Sequence, residues 1–441
     1  MSSESIRNLI KDAGVVGAGG AGFPTHVKLN CKAEVVIANG AECEPILRVD
    51  QQLMEREAKN ILRGLSLAME ASGAKKGVVA TKSHYFGAVA AIKENLRDYP
   101  NISLHLMRSY YPAGDEKSLI YEVTKRVVPT SKLPADVGVV VSNVNSLLNI
   151  AQAVDGRAVT KKIVTVSGEV NSPATYEVPI GTDAYLLLTW TGIPLDIENY
   201  ILLVGGPCMG RLTENLHFPI TKTTGGLILL PKTHQYVLKR QMPLEKQIVL
   251  ARACCCQCSQ CTQMCPRNAL GLNVQPHKAM RAIAQANGKL VGDPNAVLAC
   301  CSCGICTNYA CNFGLNPANI MAQLKIEFAK QGLRPQPEQS IVPDPAQEMK
   351  KVPVSRMIAR MGLKKYDVPA PQKDAPAVSR VIIPLRQHIG APSEPIVQEG
   401  SVVAAGDLIA MIPEKALGAN IHASISGRVV KITSDSIELE A

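Results

Sequence analysis

Two bursts of cysteine constrain this chain more than any other feature. Of fourteen cysteines in 441 residues, eleven fall within 254–265 and 300–311. In the first burst Cys255, Cys258, Cys261 and Cys265 are spaced C-x2-C-x2-C-x3-C, and Pro266 follows. This is the run that folds round a [4Fe–4S] cubane: three thiolates wrap one cluster, and the fourth leaves on a new helix to ligate the other. In the second burst Cys300, Cys303 and Cys306 repeat the x2 spacing. Cys311 then follows after four residues, and Asn312 stands in the proline's place. By ferredoxin logic, one cluster takes Cys255, Cys258, Cys261 and Cys311; the other takes Cys300, Cys303, Cys306 and Cys265. Cys254, Cys256 and Cys301 are out of register and are not expected as ligands. A zinc site needs only four ligands and rarely shows a triple-then-single cadence. Such bunching also argues against a disulfide scaffold, which spreads its cysteines through a small secreted domain. Helical patterns frame both bursts, and Asn316 with Pro317 reads as N-cap and first residue of the last helix.

Length predicts several domains, since a domain takes roughly 150 residues. No apolar run approaches the roughly 18 residues that span a bilayer. The opening "MSSESIRNLIKDAG" lacks the apolar core of a secretory leader. A cytoplasmic protein without a transmembrane segment is therefore expected. The net charge is +10. Its excess falls partly on residues 241–330, where eight Lys and Arg face three Asp and Glu. That segment would carry anionic thiolate clusters, and no stacking-aromatic pattern accompanies the charge, so no nucleic-acid partner is expected.

A pair of clusters needs only the residues around the bursts, so the rest of the chain should supply an electron donor site. In "GVVGAGGAGFPTHVK" Gly17, Gly19 and Gly22 match G-x-G-x-x-G. A Rossmann motif follows a strand and opens a helix; here a helical stretch precedes it and the strand "AEVVIANG" comes after. The glycines can still bring backbone close to a flat ring or a phosphate. "NGAECEP" places Asn39, Glu42 and Glu44 beyond a strand end, where open α/β sheets bind ligands. "YYPAGDEKSLIYEVTKR" places Asp115 and Glu116 at the mouth of a helix. "SNVNS" ends a strand with Ser142, Asn143 and Asn145. Each could be no more than a helix cap, but four such loops in order point to a cofactor site.

Together "GAGGAGFPTHVK", "NGAECEP", "GDE" and "SNVNS" resemble the flavin- and NADH-binding subunit of respiratory complex I, and more closely the RnfC-type subunit of ion-pumping ferredoxin oxidoreductases. Over nearly its whole length the chain is most similar to the cobalamin reductase family of propanediol-utilising bacterial microcompartments. The resemblance implies an FMN cradle from Gly17, Gly19, Gly20, Lys28, Asn39, Glu44, Tyr111, Asn143 and Ser146, with Phe23, Asp115 and Glu116 near the nicotinamide of NADH. The chain departs from the complex I pattern at Ala41, at Asp115 and at Ser142. The implied activity is transfer of electrons from NADH through FMN and two [4Fe–4S] clusters to a corrinoid, cob(III)alamin toward cob(I)alamin. No D-x-H-x-x-G corrinoid-ligating pattern occurs, so the contact is expected to be transient or made through an adenosyltransferase partner. Location in a microcompartment, among its shell or lumen proteins, is implied as well. Two other readings are an electron-input subunit of a membrane pump and a flavin-free electron relay.

The expected architecture is multidomain α/β. It runs as an FMN/NADH-binding α/β domain (1–158), a β-grasp domain of the SLBB kind (159–235) and a helical double [4Fe–4S] ferredoxin-like domain (240–332). A linker (333–375) and a barrel-sandwich hybrid (376–441) follow. Carriers of the biotinyl or lipoyl type expose a lysine at a hairpin; "LGANIHASISG" has none, so this last module is expected to be structural.

Overall fold

The computed structural model describes residues 1–338 and 340–441. Its N-terminal part is built on strands β1 (Val35–Gly40), β2 (Lys76–Lys82), β3 (Ile102–Met107) and β5 (Val139–Asn143); β4 is the short Tyr110–Tyr111 outside that sheet. The four pair in parallel in the order β3-β2-β1-β5. Helices cover the sheet, which is why "VVIAN" and "VVVSN" are nearly continuous apolar runs rather than alternating ones. Helix Ala58–Ser72 lies so close to helix Val144–Val154 that a Cβ on Gly64 would sit 1.9 Å from the Leu147 carbonyl oxygen. Helix Ser3–Asp12, capped by Ser2, buries Ile6 and Ile10 against the same core. The chain fills one side of β1 with β2 and β3, then returns to the other side as β5. The strand order thus reverses between β1 and β5, and a crevice opens beyond their C-terminal ends.

Next come β6 (Lys161–Gly168), β7 (Ala174–Pro179), β8 (Tyr200–Val204), β9 (Arg211–Thr213) and β10 (Gly226–Pro231). β6 and β7 form an antiparallel hairpin, helix Ala184–Thr191 crosses, and β10 inserts between β6 and β8, parallel to β6. This is the β-grasp arrangement. The helical segment with both cysteine bursts follows.

Within the range 333–375, expected as a linker, the described residues 340–375 carry elements that pack against the rest of the chain. β11 (Val352–Pro353) pairs with β4, helix Val354–Arg360 follows, and β12 (Gln372–Lys373) adds a parallel strand to β7. Met357, Ile358, Leu363 and Tyr366 are buried in one core with Tyr111, Ile201 and Cys303. The stretch reads as spacer because polar residues and prolines outnumber these anchors.

The C-terminal strands form a four-stranded and a three-stranded sheet whose inner residues, among them Val381, Ile409 and Val429, join the core of the N-terminal domain. Lys222, on the β-grasp side, donates to the carbonyls of Gly14 (2.7 Å) and Asn420 (2.8 Å) and so ties three parts of the chain together. Burial alone pushes its ammonium down to about 7. Among the described residues, no helix is long and apolar enough to cross a membrane.

Candidate functional site

A cavity of about 690 Å³ lies at the strand-order reversal, within the roughly 300–1,000 Å³ typical of cofactor sites. Its wall includes Gly19, Gly20, Asn39, Glu44, Asp115, Glu116 and Asn143. A Cβ on Gly20 would meet nothing within 4 Å, so the loop leaves open space where a side chain would intrude. Asn39 donates to the Gly114 carbonyl at 3.1 Å and accepts from the Ala41 N–H at 3.2 Å, fixing the loop beyond β1. Asn143 caps the helix after β5 and donates to Asp50 at 2.9 Å. Asp115 caps helix Glu116–Thr124 through Ser118.

Other expected residues support this wall from behind. Ser146 accepts from the Ala18 N–H at 2.8 Å, and Gly17 closes the glycine loop on the Phe23 carbonyl at 3.0 Å. Lys28 is paired with Glu116 at 2.9 Å. Tyr111, expected in the cradle, is buried away from the cavity, and its hydroxyl donates to the Cys303 carbonyl at 2.8 Å. None of Gly17, Phe23, Lys28, Tyr111 and Ser146 is in the cavity wall.

Sequence reading missed Lys162, Asp50 and the Gly205–Gly210 loop, which meet the expected Glu42 and Glu44. Lys162, on β6, reaches across from the β-grasp domain and donates to the Ala18 carbonyl at 2.8 Å. Burial pulls its ammonium down to about 8, against the fields of Asp50 and Glu42. Those two carboxylates form a buried pair, Glu42 accepting from the Asp50 N–H. Burial pushes both upward, and the Asp50 charge lifts Glu42 further. Glu44 accepts from the N–H groups of Cys208 (2.8 Å) and Met209 (2.9 Å), holding the glycine-rich Gly205–Gly210 loop against the cavity. Burial raises its carboxyl to about 7 despite those bonds. A lysine on a hairpin strand and a loop some 160 residues from Glu44 carry no local signature.

The thiols gather in two places. Cys255, Cys258, Cys261 and Cys311 line one small pocket, and the out-of-register Cys256 lines it too. Cys265, Cys300, Cys303 and Cys306 lie within one another's fields, with Cys301 beside them. The two bursts share one backbone pattern: Gln257 and Ser259 in the first, and Ser302 and Gly304 in the second, all have φ between 57° and 76°. Left-handed backbone is costly for the three that carry a Cβ. Repeated at the same offsets from the first cysteine, it wraps the chain round a centre and turns N–H groups inward, as an anion-binding nest does. The extra residue before Cys311 is absorbed by a π-turn over Cys306–Ala310. Among the described residues, no three His, Cys, Asp or Glu side chains close round a single metal ion. Eight thiols in two fours, wrapped by nest-like backbone, fit the donor set that two cubanes require. Cys303 of the second group, and the neighbouring Cys301, are in the wall of the large cavity.

The comparisons with known proteins follow this division. A model of the Nuo51 FMN-binding domain matches residues 10–152. A 4Fe–4S dicluster domain matches 254–316, and the RnfC barrel-sandwich hybrid domain matches 359–440. The chain is 42% identical over 445 residues to the cobalamin reductase PduS of Salmonella typhimurium, covering 99% of this chain and 96% of that one. It is 40% identical to the cobalamin reductase PduS of Citrobacter freundii, with the same coverage. With a subunit of the Na+-translocating ferredoxin:NAD+ oxidoreductase complex of Acetobacterium woodii it shares 33% identity over 280 residues, 62% of this chain and 60% of that one.

Proposed function

Because the chain belongs to the PduS cobalamin reductase family, we propose that it draws electron pairs from NADH and delivers them singly to a corrinoid, taking cob(III)alamin toward cob(I)alamin. The observation that carries this reading is the shared wall: Cys303 of the second thiol group, with its neighbour Cys301, lines the cavity of the FMN-binding domain. When bound, the flavin supplies the exchange between a hydride's two electrons and one-electron carriers, which the clusters provide.

The chain's own residues prepare this exchange. Gly19 and Gly20 give an isoalloxazine or phosphate close access to backbone. Asn39, Asn143, Asn145 and the Glu42–Asp50 pair offer amide and carboxylate partners to ribityl and ribose hydroxyls. Lys162 fixes the glycine loop and neutralises part of the acidic charge. Cys265, Cys300, Cys303 and Cys306 would hold the cluster next to the cavity. Cys255, Cys258, Cys261 and Cys311 would hold the outer one, where Cys258 is exposed. With the groups so held, electrons would enter at the cavity and leave at the first burst. The corrinoid meets that outer face, directly or through an adenosyltransferase. The chain works with the shell or lumen proteins of a propanediol-utilisation microcompartment.

The test is an oxygen-free assay of cluster-replete protein with NADH and cob(III)alamin, with and without an adenosyltransferase. NADH-dependent loss of the cob(III)alamin spectrum is expected. No corrinoid reduction in either case would remove the substrate assignment.

A further inference from the structure

One guanidinium, that of Arg267, stands between the cavity and the inner thiol group. Arg267 lies two residues past Cys265, on the short turn Pro266–Ala269. Its side chain is 11% exposed and so is that of Asp115. The two make a bidentate pair, Nε to Oδ2 at 3.0 Å and a terminal nitrogen to Oδ1 at 2.6 Å. Such fork-to-carboxylate pairing fixes orientation in a way a lysine cannot. Asp115 belongs to the flavin domain and lines the cavity. Arg267 belongs to the cluster segment. The Arg267 guanidinium lies within the fields of Cys301 and Cys265. Nearby, Lys325 is committed to the Cys300 carbonyl at 2.9 Å, and Lys117 to the Pro129 carbonyl at 2.5 Å.

We propose that the Arg267–Asp115 pair is a positioning and potential-setting device for the inner cluster: Arg267 stabilises its reduced form, and Asp115 limits that stabilisation. The inference rests on the functional reading above and deepens it. Uptake of one electron at the inner cluster adds one negative charge beside the guanidinium, with no proton needed and no bond formed or broken. In a poorly solvated interior a fixed cation favours that charge strongly, while the paired carboxylate opposes it. The same pair joins the donor domain to the acceptor domain, so the residues that set the cluster's affinity for an electron also hold it against the cavity.

The experiment is an anaerobic redox titration of full-length, cluster-replete protein, followed by electron paramagnetic resonance, with iron and flavin counted for every variant. Arg267→Gln is expected to lower the potential of one cluster, and Asp115→Asn to raise the potential of the same cluster. Arg267→Lys should fall between wild type and Arg267→Gln, and the other cluster should not move in any variant. A purely structural pair would shift both variants in one direction or leave both potentials unchanged, and either result overturns the inference. If Arg267→Gln fails to retain its cluster, Asp115→Asn decides alone: a raised potential supports the inference and an unmoved one ends it. Wild-type protein lacking two cluster signals contradicts the functional reading and this inference with it; normal signals with unmoved potentials contradict the inference alone.

Discussion

Replacing Lys162 with methionine tests how the β-grasp domain serves the flavin cavity. The wild-type ammonium makes a buried bond of 2.8 Å to the Ala18 carbonyl, inside the glycine loop. Methionine keeps most of the side-chain volume and removes that bond. A hydrogen bond from a charged donor contributes about 1.5–3 kcal/mol. If that energy orders the loop for its ligand, flavin affinity falls by about 10- to 100-fold, since 1.4 kcal/mol is tenfold. The assay is fluorescence quenching of FMN titrated into flavin-stripped protein, with iron content as the control for intact clusters. The pH dependence adds a second arm. Burial lowers the Lys162 value from 10.5 to about 8, so the cation is present below about pH 8 and lost above it. Wild-type affinity should therefore decline as pH rises through 8 and approach that of Lys162→Met, whose own profile stays flat there. For stability the sign is opposite: the folded chain holds this proton less firmly than the unfolded one. The cost of burying the charge is thus fully present below about pH 8 and fades toward 10.5. Equal flavin affinity in variant and wild type at pH 7 would refute the role given to Lys162.

Other outcomes follow from the same geometry. Cys258→Ala and Cys311→Ala should each remove the same cluster and spare the other, about half the iron, as read by resonance spectra and iron analysis. Loss of different clusters would break the assignment of Cys311 to the outer site. Asn39→Ala and Glu44→Ala should lower flavin content while leaving iron in place, because both organise loops of the cavity and neither touches a thiol group; the opposite pattern in absorbance spectra would move the flavin elsewhere. Tyr111→Phe leaves the Cys303 carbonyl without its partner at 2.8 Å, at a cost of about 1–3 kcal/mol; an unchanged midpoint in thermal denaturation would contradict that.

Local spacing made the cysteine bursts readable, since each triple sits within seven residues and needs no tertiary information to be recognised. The strand-end loops were readable for a similar reason: Asn39 and Asn143 stand at the ends of strands whose apolar runs announce themselves. What stayed hidden acts across long sequence separations. Lys162 meets Ala18 from 144 residues away, and Arg267 meets Asp115 from 152. Neither position differs in type from an ordinary basic residue on a strand or helix. Tyr111 shows the reverse limit. Its motif placed it near the cavity, but only packing reveals that its hydroxyl faces the thiol side. In residues 333–375 composition misdirects, because a few buried anchors such as Met357 and Tyr366 fix a segment that is otherwise polar and rich in proline.

The most direct measurement is elemental and flavin analysis of protein purified without oxygen, followed by addition of NADH under a spectrometer. About eight iron and one FMN per chain are expected, with NADH bleaching the flavin band and then raising cluster signals. Stoichiometric zinc, iron without flavin, or a flavin that NADH bleaches while both clusters stay oxidised would contradict an NADH-fed flavin wired to two cubanes.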